Sequence, residues 1–321
     1  MKAYPIKFEP ILQEKIWGGS KLRTVLNKKA ISDSTGESWE ISGVQDNISV
    51  VSNGMYKGLS IVDLIKNHKE QFVGMKNYRH FGNEFPLLIK YLDARTNLSV
   101  QVHPDDQMAK AEHDSKGKTE MWYIMDHEED ACVINGFKDD KVTTSSLQEI
   151  TINNVEEILN TEKVSKGDSF FIPAGKVHAI GAGVLAAEIQ QTSDITYRVY
   201  DWDRVDNFGK ERELHMDQSM RAVKRSNTTL SNNIEFQSDT NVLADCTYFT
   251  STILDVDRAM QMDYTNKDSF VIYMCVEGSF EITINNHTEM ISVGETVLIP
   301  ANSTNVSVDT EAAKIIEVYI K

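Results

Sequence analysis

Apolar and polar residues alternate along several short stretches of this 321-residue chain. A period of two is the pattern of a strand with one buried face. In Asn97-Leu98-Ser99-Val100-Gln101-Val102-His103, Leu98, Val100 and Val102 fall on one side and Ser99, Gln101 and His103 on the other. Residues 118–125 read the same way, with Lys118, Glu120 and Trp122 sharing a face, and a further strand begins at His178 after a Pro173-Ala174-Gly175 turn. The stretch 36–42 predicts a strand with Trp39 and Ile41 on one face. Residues 85–94 are almost continuously apolar, as in a central strand. Lys90 interrupts them, and a lysine there either snorkels to the surface or points at an anion. Residues 1–16 read as an extended strand, since Pro5 and Pro10 exclude helix. Trp17-Gly18-Gly19 reads as a tight turn whose tryptophan is either a buried corner or a pocket wall.

Helices are few. Ser60 can cap one running through Ile61, Val62, Leu64 and Ile65 to about Phe72, with Asp63 as its acidic third residue. Pro104-Asp105-Asp106 opens a short helix over 107–113, and Asn154 caps another over 155–159.

Two distant segments repeat one another. Residues 164–178 and 291–305 align Gly167 with Gly294, Asp168 with Glu295, and Ile172-Pro173-Ala174 with Ile299-Pro300-Ala301. Each is a glycine turn with an acidic residue, an apolar strand, then a proline turn that ends pairing. With the strand pair on either side of Glu277-Gly278, the repetition predicts two β-barrels of one kind. The polar stretch 224–233 is the expected linker, between a catalytic domain over 1–230 and a structural one over 236–321. The position matching His178 is Asn305, so only the first unit is expected to carry the chemistry.

That chemistry follows from the alternation. Gln101 and His103 lie two residues apart on one strand face, with Cα atoms roughly 6.5–7 Å apart, close enough to share a cation. With Glu120 and His178 they make two imidazoles, a carboxylate and an amide oxygen, a set suited to a borderline divalent ion such as zinc. The formal net charge of −15 argues against non-specific binding to nucleic acid or an anionic membrane. It also requires a local cationic pocket for any anionic substrate. Three widely spaced cysteines, Cys132, Cys246 and Cys275, form neither a zinc pattern nor a disulfide framework, which predicts a reducing cytoplasm. No signal peptide is expected, and no apolar run approaches the ~20 residues that span a bilayer.

Gly-Asp-x-x-x-x-Pro-x-Gly followed by histidine resembles the second metal motif of the cupin superfamily. Taken together, Pro86-Leu87-Leu88-Ile89-Lys90, Gln101-Val102-His103-Pro104-Asp105-Asp106, Lys118-Thr119-Glu120-Met121-Trp122-Tyr123 and Thr196-Tyr197-Arg198-Val199-Tyr200-Asp201 resemble the short bacterial form of type I mannose-6-phosphate isomerase over nearly the whole chain. The resemblance implies a mainly β fold of two cupin-type jelly-roll barrels with a few short helices in the N-terminal half. It implies one zinc ion held by Gln101, His103, Glu120 and His178, with Arg198 as the catalytic arginine and Lys118 and Glu188 nearby. The implied reaction moves a proton between carbons 1 and 2 of a sugar phosphate through a cis-enediol. Lys118, expected to lose its proton more readily beside a dication, and Glu188 are both candidates for the acid/base. Arg198 either stabilises developing charge or forms a structural ion pair with Asp201 or Asp203. Trp17 and Lys90 are the candidate substrate contacts. The competing readings are a non-haem Fe(II) oxygenase and a bicupin that binds sugar without turning it over.

Overall fold

The structure, a computed structural model, describes residues 1–139, 143–205, 208–224 and 241–321. The expected linker at 224–233 lies outside the described residues except for Lys224. In chain order the first strands are β1 (Ile11–Gly19), β2 (Thr35–Ile41), β3 (Leu87–Ala94), β4 (Val100–Val102), β5 (Glu120–Asp126), β6 (Cys132–Phe137), β7 (Leu159–Lys163), β8 (Ser169–Ile172), β9 (His178–Ile180), β10 (Val184–Gln191) and β11 (Tyr197–Tyr200). They are followed by β12 (Val242–Asp245), β13 (Thr250–Val256), β14 (Met260–Asp263), β15 (Val271–Ile284), β16 (His287–Ser292), β17 (Thr296–Ile299), β18 (Asn305–Asp309) and β19 (Ala313–Tyr319). One six-stranded sheet runs β1-β2-β3-β10-β5-β8, and a five-stranded sheet runs β11-β4-β9-β6-β7. The C-terminal strands form a third along β12-β13-β19-β15-β18-β14, with β16 and β17 also on β15.

The fold is mainly β with short helices in the N-terminal half, as the pattern predicts. Two closed barrels are not what the ladders make. The six-stranded sheet curls, because β1 meets β3 as well as β2 through Gly18↔Ala94. No ladder among the described residues joins it to the five-stranded sheet, where β4 and β9 share the single pair Gln101↔His178.

The central strands of each N-terminal sheet are buried on both faces, while the edge strands β1 and β7 are partly exposed. Along β3, β5 and β10, Leu92, Trp122, Ile124 and Ala186 face the five-stranded sheet and pack with its Val133 and Ile180. The alternate residues Ile89, Tyr91, Met121, Tyr123 and Ile189 turn outward into a core shared with Phe249, Phe270, Ile272, Met274, Leu298 and Ile316 of the C-terminal sheet. This is why 85–94 reads as unbroken apolar sequence. Behind the five-stranded sheet, Val100, Val102 and Tyr197 pack beneath Leu147, Ile158 and Ala222. A C-terminal core of Val271, Tyr273, Phe280, Val297 and Ile315 completes the interior.

Local departures from expectation have local causes. The Ser60-capped helix forms, with reciprocal Ser60–Asp63 bonds, but stops at His68 because Lys69 takes φ 50°; Glu70–Val73 is a separate turn. Trp17-Gly18-Gly19 is the end of β1 rather than a turn, since Gly18 pairs with Ala94 and Gly19 with Thr35. Trp39 and Ile41 lie on opposite faces: a bulge opposes Trp39 to Lys90 and Ile41 to Ile89, neighbours on β3. The extra residue, Glu40, is buried on Lys28 at 2.7 Å and Ser38 at 2.6 Å. Asn154 does not cap its helix; its side chain accepts from the Thr151 amide at 2.6 Å, and Leu159 already belongs to β7.

The repeated segments fold alike. Gly167 and Gly294 take φ 97° and 83°, and their amides reach Ile124 O at 2.8 Å and Cys275 O at 2.9 Å. Asp168 and Glu295 each accept from the amide three residues back, Ser165 at 2.7 Å and Ser292 at 2.8 Å. β8 and β17 follow, and His178 and Asn305 each open the next strand.

Candidate metal centre and substrate cavity

The two N-terminal sheets carry their polar residues inward at one place. Glu120 opens β5 of the curled sheet; Gln101 and His178 face one another across β4 and β9, and His103 follows β4 directly. His103, Glu120 and His178 are buried, with one ligand atom of each within 4.8 Å of the others. Their second atoms fix their roles. His103 Nδ1 lies 2.8 Å from the Ile195 carbonyl and His178 Nδ1 2.8 Å from the Lys176 carbonyl. A carbonyl only accepts, so both Nδ1 atoms carry the proton. Burial is the main reason that both imidazoles titrate below the ordinary histidine value, His103 at about 3, with the Lys118 ammonium adding to the effect there. The rings are therefore neutral, and both Nε2 lone pairs point into one space, 3.2 Å apart.

Each Nε2 also lies 3.4 Å from an oxygen of Glu120. Lys118 Nζ is 3.0 Å from Glu120 Oε2 and 3.0 Å from His103 Nε2. The Glu120 carboxylate, though ion-paired with Lys118, accepts no hydrogen bond at either oxygen from a described residue. Burial would raise this carboxyl; Lys118 and His103 outweigh it and hold it well below the usual range. A buried, ionised carboxylate without hydrogen bonds, facing two imidazole lone pairs, fits a divalent cation. Gln101 Nε2 sits 3.3 Å from His178 Nε2, and exchanging the isosteric amide O and N turns its oxygen toward the same point.

Above this cluster lies a cavity of about 260 Å³, lined among others by Trp17, Trp39, Lys90, Lys118, Glu188 and Arg198. Glu188 is bonded at both oxygens, to Trp122 Nε1 at 3.1 Å and to Lys90 Nζ at 3.1 Å. Lys90 also approaches Glu37 Oε2 at 3.8 Å and the Trp39 ring at 5.0 Å. Burial raises the Glu188 carboxyl despite Lys90. Burial opposes the Lys90 charge, but Glu188 and Glu37 more than reverse it and raise its pKa. Arg198 comes from β11, opposite Gln101. Its Nη1 donates to the Glu213 carbonyl at 2.7 Å, while its Nε is buried without a partner. The expected alternative, a pair with Asp201 or Asp203, is not formed: Asp201 takes Arg204 and Arg212, and Asp203 accepts from Tyr200.

Known proteins share this arrangement of sequence and fold. The family description "Phosphomannose isomerase type I, catalytic domain" matches residues 6–137, and "Mannose-6-phosphate isomerase, cupin domain" matches 238–320. Mannose-6-phosphate isomerase ManA of Bacillus subtilis is 36% identical over 307 residues, 94% of each chain. The chain belongs to the type I phosphomannose isomerase family. The mannose-6-phosphate isomerase of Streptococcus mutans is 35% identical over 93% of each chain. The crystal structure of the Bacillus subtilis mannose 6-phosphate isomerase superposes with a TM-score of 0.83 at 31% identity, over 99% of both chains.

In this family member the structure brings together every candidate read from the sequence: His103, Glu120 and His178 in one buried cluster, Gln101 and Lys118 between that cluster and the cavity, and Trp17, Lys90, Glu188 and Arg198 in the cavity lining. It adds Glu37, Trp39, Lys15 and Arg212 to the lining. Period-two alternation places Glu37 and Trp39 on one strand face, which was a usable signal. Pairing Trp39 with Ile41 hid it, because the bulge at Glu40 has no mark in the sequence.

Proposed function

We propose that this phosphomannose isomerase-family protein interconverts mannose 6-phosphate and fructose 6-phosphate, with one zinc ion held by Gln101, His103, Glu120 and His178. The observation that carries the reading is the buried Glu120 carboxylate, free of hydrogen bonds and facing two imidazole lone pairs, beside a cavity lined by Gln101, Lys118 and an arginine whose Nε is buried without a partner. When bound, the ion supplies Lewis acidity to the carbonyl and hydroxyl oxygens of carbons 1 and 2.

The chain's own residues supply the rest. Lys118 Nζ is in contact with both Glu120 and His103, so of the two acid/base candidates it stands nearer the reacting carbons, and we assign it the proton. Glu188, held at both oxygens, shapes the wall. Arg198, whose buried Nε is unpartnered, is assigned to stabilise developing negative charge on the enediol oxygens. Trp17 packs the substrate's carbon chain, and Lys90 adds positive charge to the wall. On this reading the two N-terminal sheets form an open cupin sandwich in a catalytic domain over 1–230. The C-terminal strands are then a degenerate cupin over 236–321, and the free thiols suit a cytoplasmic enzyme.

The test is metal content measured alongside turnover, before and after chelation. Zinc near one per chain is expected, with isomerase activity lost on chelation and restored by zinc. Metal-free protein working at full rate, or one iron per chain with oxygen uptake and no isomerase activity, overturns the proposal.

A further inference from the structure

Two carboxylates share the buried Lys90 ammonium, and they differ in what they leave free. Glu188 has both oxygens engaged. Glu37, on β2, takes Trp39 Nε1 at 2.6 Å, Lys15 at 3.5 Å and Lys90 at 3.8 Å, all on Oε2. Its Oε1 accepts no hydrogen bond from any described residue, and the side chain, 12% exposed, lines the cavity. Asp194, the other carboxylate in the lining, is exposed. Burial opposes the Glu37 charge, but Lys90, Lys15 and the Trp39 N–H outweigh it, so the carboxylate is ionised.

An ionised, largely buried oxygen with a free lone pair demands a donor. It repels a phosphate, for which Arg198 and Arg212, in the segment that includes β11, offer cations in the same lining. A sugar hydroxyl is the donor that suits it, and the adjoining Trp39 indole is locked to the same carboxylate, so ring and acceptor form one rigid corner. Lys90, bound by Glu188 and Glu37 together, ties that corner to Glu188 on β10.

We propose that Glu37 reads the hydroxyl on carbon 3 or carbon 4 of the sugar, and that with Trp39 it selects a polyhydroxylated phosphate over less hydroxylated ones. This rests on the sugar-phosphate reading of the site. It makes Glu37 a specificity residue rather than a catalytic one.

The experiment uses the zinc-loaded full chain and compares wild type with Glu37→Gln, which keeps the shape and the bond to Trp39. For mannose 6-phosphate, kcat/KM is expected to fall about tenfold, with the loss in KM rather than kcat. On 3-deoxy and 4-deoxy analogues, wild type is expected to lose about 10- to 100-fold on one of them, and Glu37→Gln less than threefold on either. Calorimetric binding of an unreactive hexitol 6-phosphate, about tenfold weaker in the variant, reads the same contact without turnover. Equal discrimination by the two proteins, or a hexitol phosphate that binds both alike, overturns the proposal. If the variant does not fold, wild type handling both deoxy analogues within threefold of the parent sugar does so by itself. Absence of turnover with hexitol phosphate binding intact and dependent on Glu37 would sink the isomerase reading while leaving this one standing.

Discussion

His178 donates its Nδ1 proton to the Lys176 carbonyl, which leaves Nε2 with a lone pair to offer a cation. Substituting alanine removes one of the four proposed ligands. His178→Ala is expected to lose bound metal and isomerase activity together, read by elemental analysis and a coupled assay; full metal occupancy would remove His178 from the ligand set. Arg198 is separated from that role by its chemistry. Its guanidinium has only donors, one of them on the Glu213 carbonyl, and no lone pair to offer a cation. Arg198→Ala should therefore keep its metal while kcat falls by ~10²–10³, the size expected for losing a group that stabilises developing charge.

The two neutral imidazoles also set an acid limit. Burial, reinforced by Lys118, holds His103 at about 3 in the folded chain, against about 6.5 when unfolded. Between those values the unfolded chain binds a proton that the folded chain refuses, so stability is full above about pH 6.5 and falls as pH drops toward 3. Chelated protein should lose up to about 1.4 kcal/mol per pH unit for this group, seen as a falling urea midpoint between pH 7 and pH 5. His103→Gln, which has no such proton to refuse, should flatten that slope.

At the scale of elements, the repeat was readable because its physics is local. A glycine at positive φ, an acidic side chain bonded three residues back and a proline turn recur in both copies, and each leaves a mark within fifteen residues of sequence. What surrounds each copy is not local, and there the copies part. A Cβ on Gly167 would meet nothing nearer than the Tyr123 hydroxyl at 3.9 Å, whereas one on Gly294 would lie 2.6 Å from Leu26 Cβ and 3.0 Å from its carbonyl. Gly167→Ala should cost only the left-handed backbone term, about 1–2 kcal/mol. Gly294→Ala should cost clearly more, since the 20–30 segment must move as well, while metal content stays at the wild-type level in both. Equal destabilisation in urea titrations would show that the packing on Leu26 does not matter. The Glu40 bulge belongs with Leu26 rather than with the turns. It places Glu40 2.7 Å from the buried Lys28 of the same segment, a contact that nothing in 36–42 announces.

Across the whole molecule, the unbroken apolar run at 85–94 records an architecture that alternation alone could not disclose. Lys90 and Leu92 face the cavity, and Ile89 and Tyr91 face the C-terminal sheet, so both registers had to be apolar except where chemistry intervened. Tyr91 goes further and donates its hydroxyl toward the carbonyls of Cys275 and Glu295, tying the back of the cavity wall to the second copy of the repeat. The chain's first residues do the same from the other direction: Ile6 and Leu298 exchange backbone bonds at 2.9 and 2.8 Å, and Ala3 is buried in the C-terminal core. A division of labour into catalytic and structural halves, as the repeat suggests, is therefore not a division into independently stable pieces. Removing 241–321 would strip the outer face from β3, β5 and β10, exposing Tyr91, Met121, Tyr123 and Ile189 on the strands that carry Lys90, Glu120 and Glu188. A chain cut to 1–230 is expected to be insoluble or to fail to retain metal. The full protein should unfold in one transition, with calorimetric and van't Hoff enthalpies equal. Two separated transitions, with metal release confined to the first, would instead mean that the shared core contributes little and that the cavity wall stands without the sheet behind it.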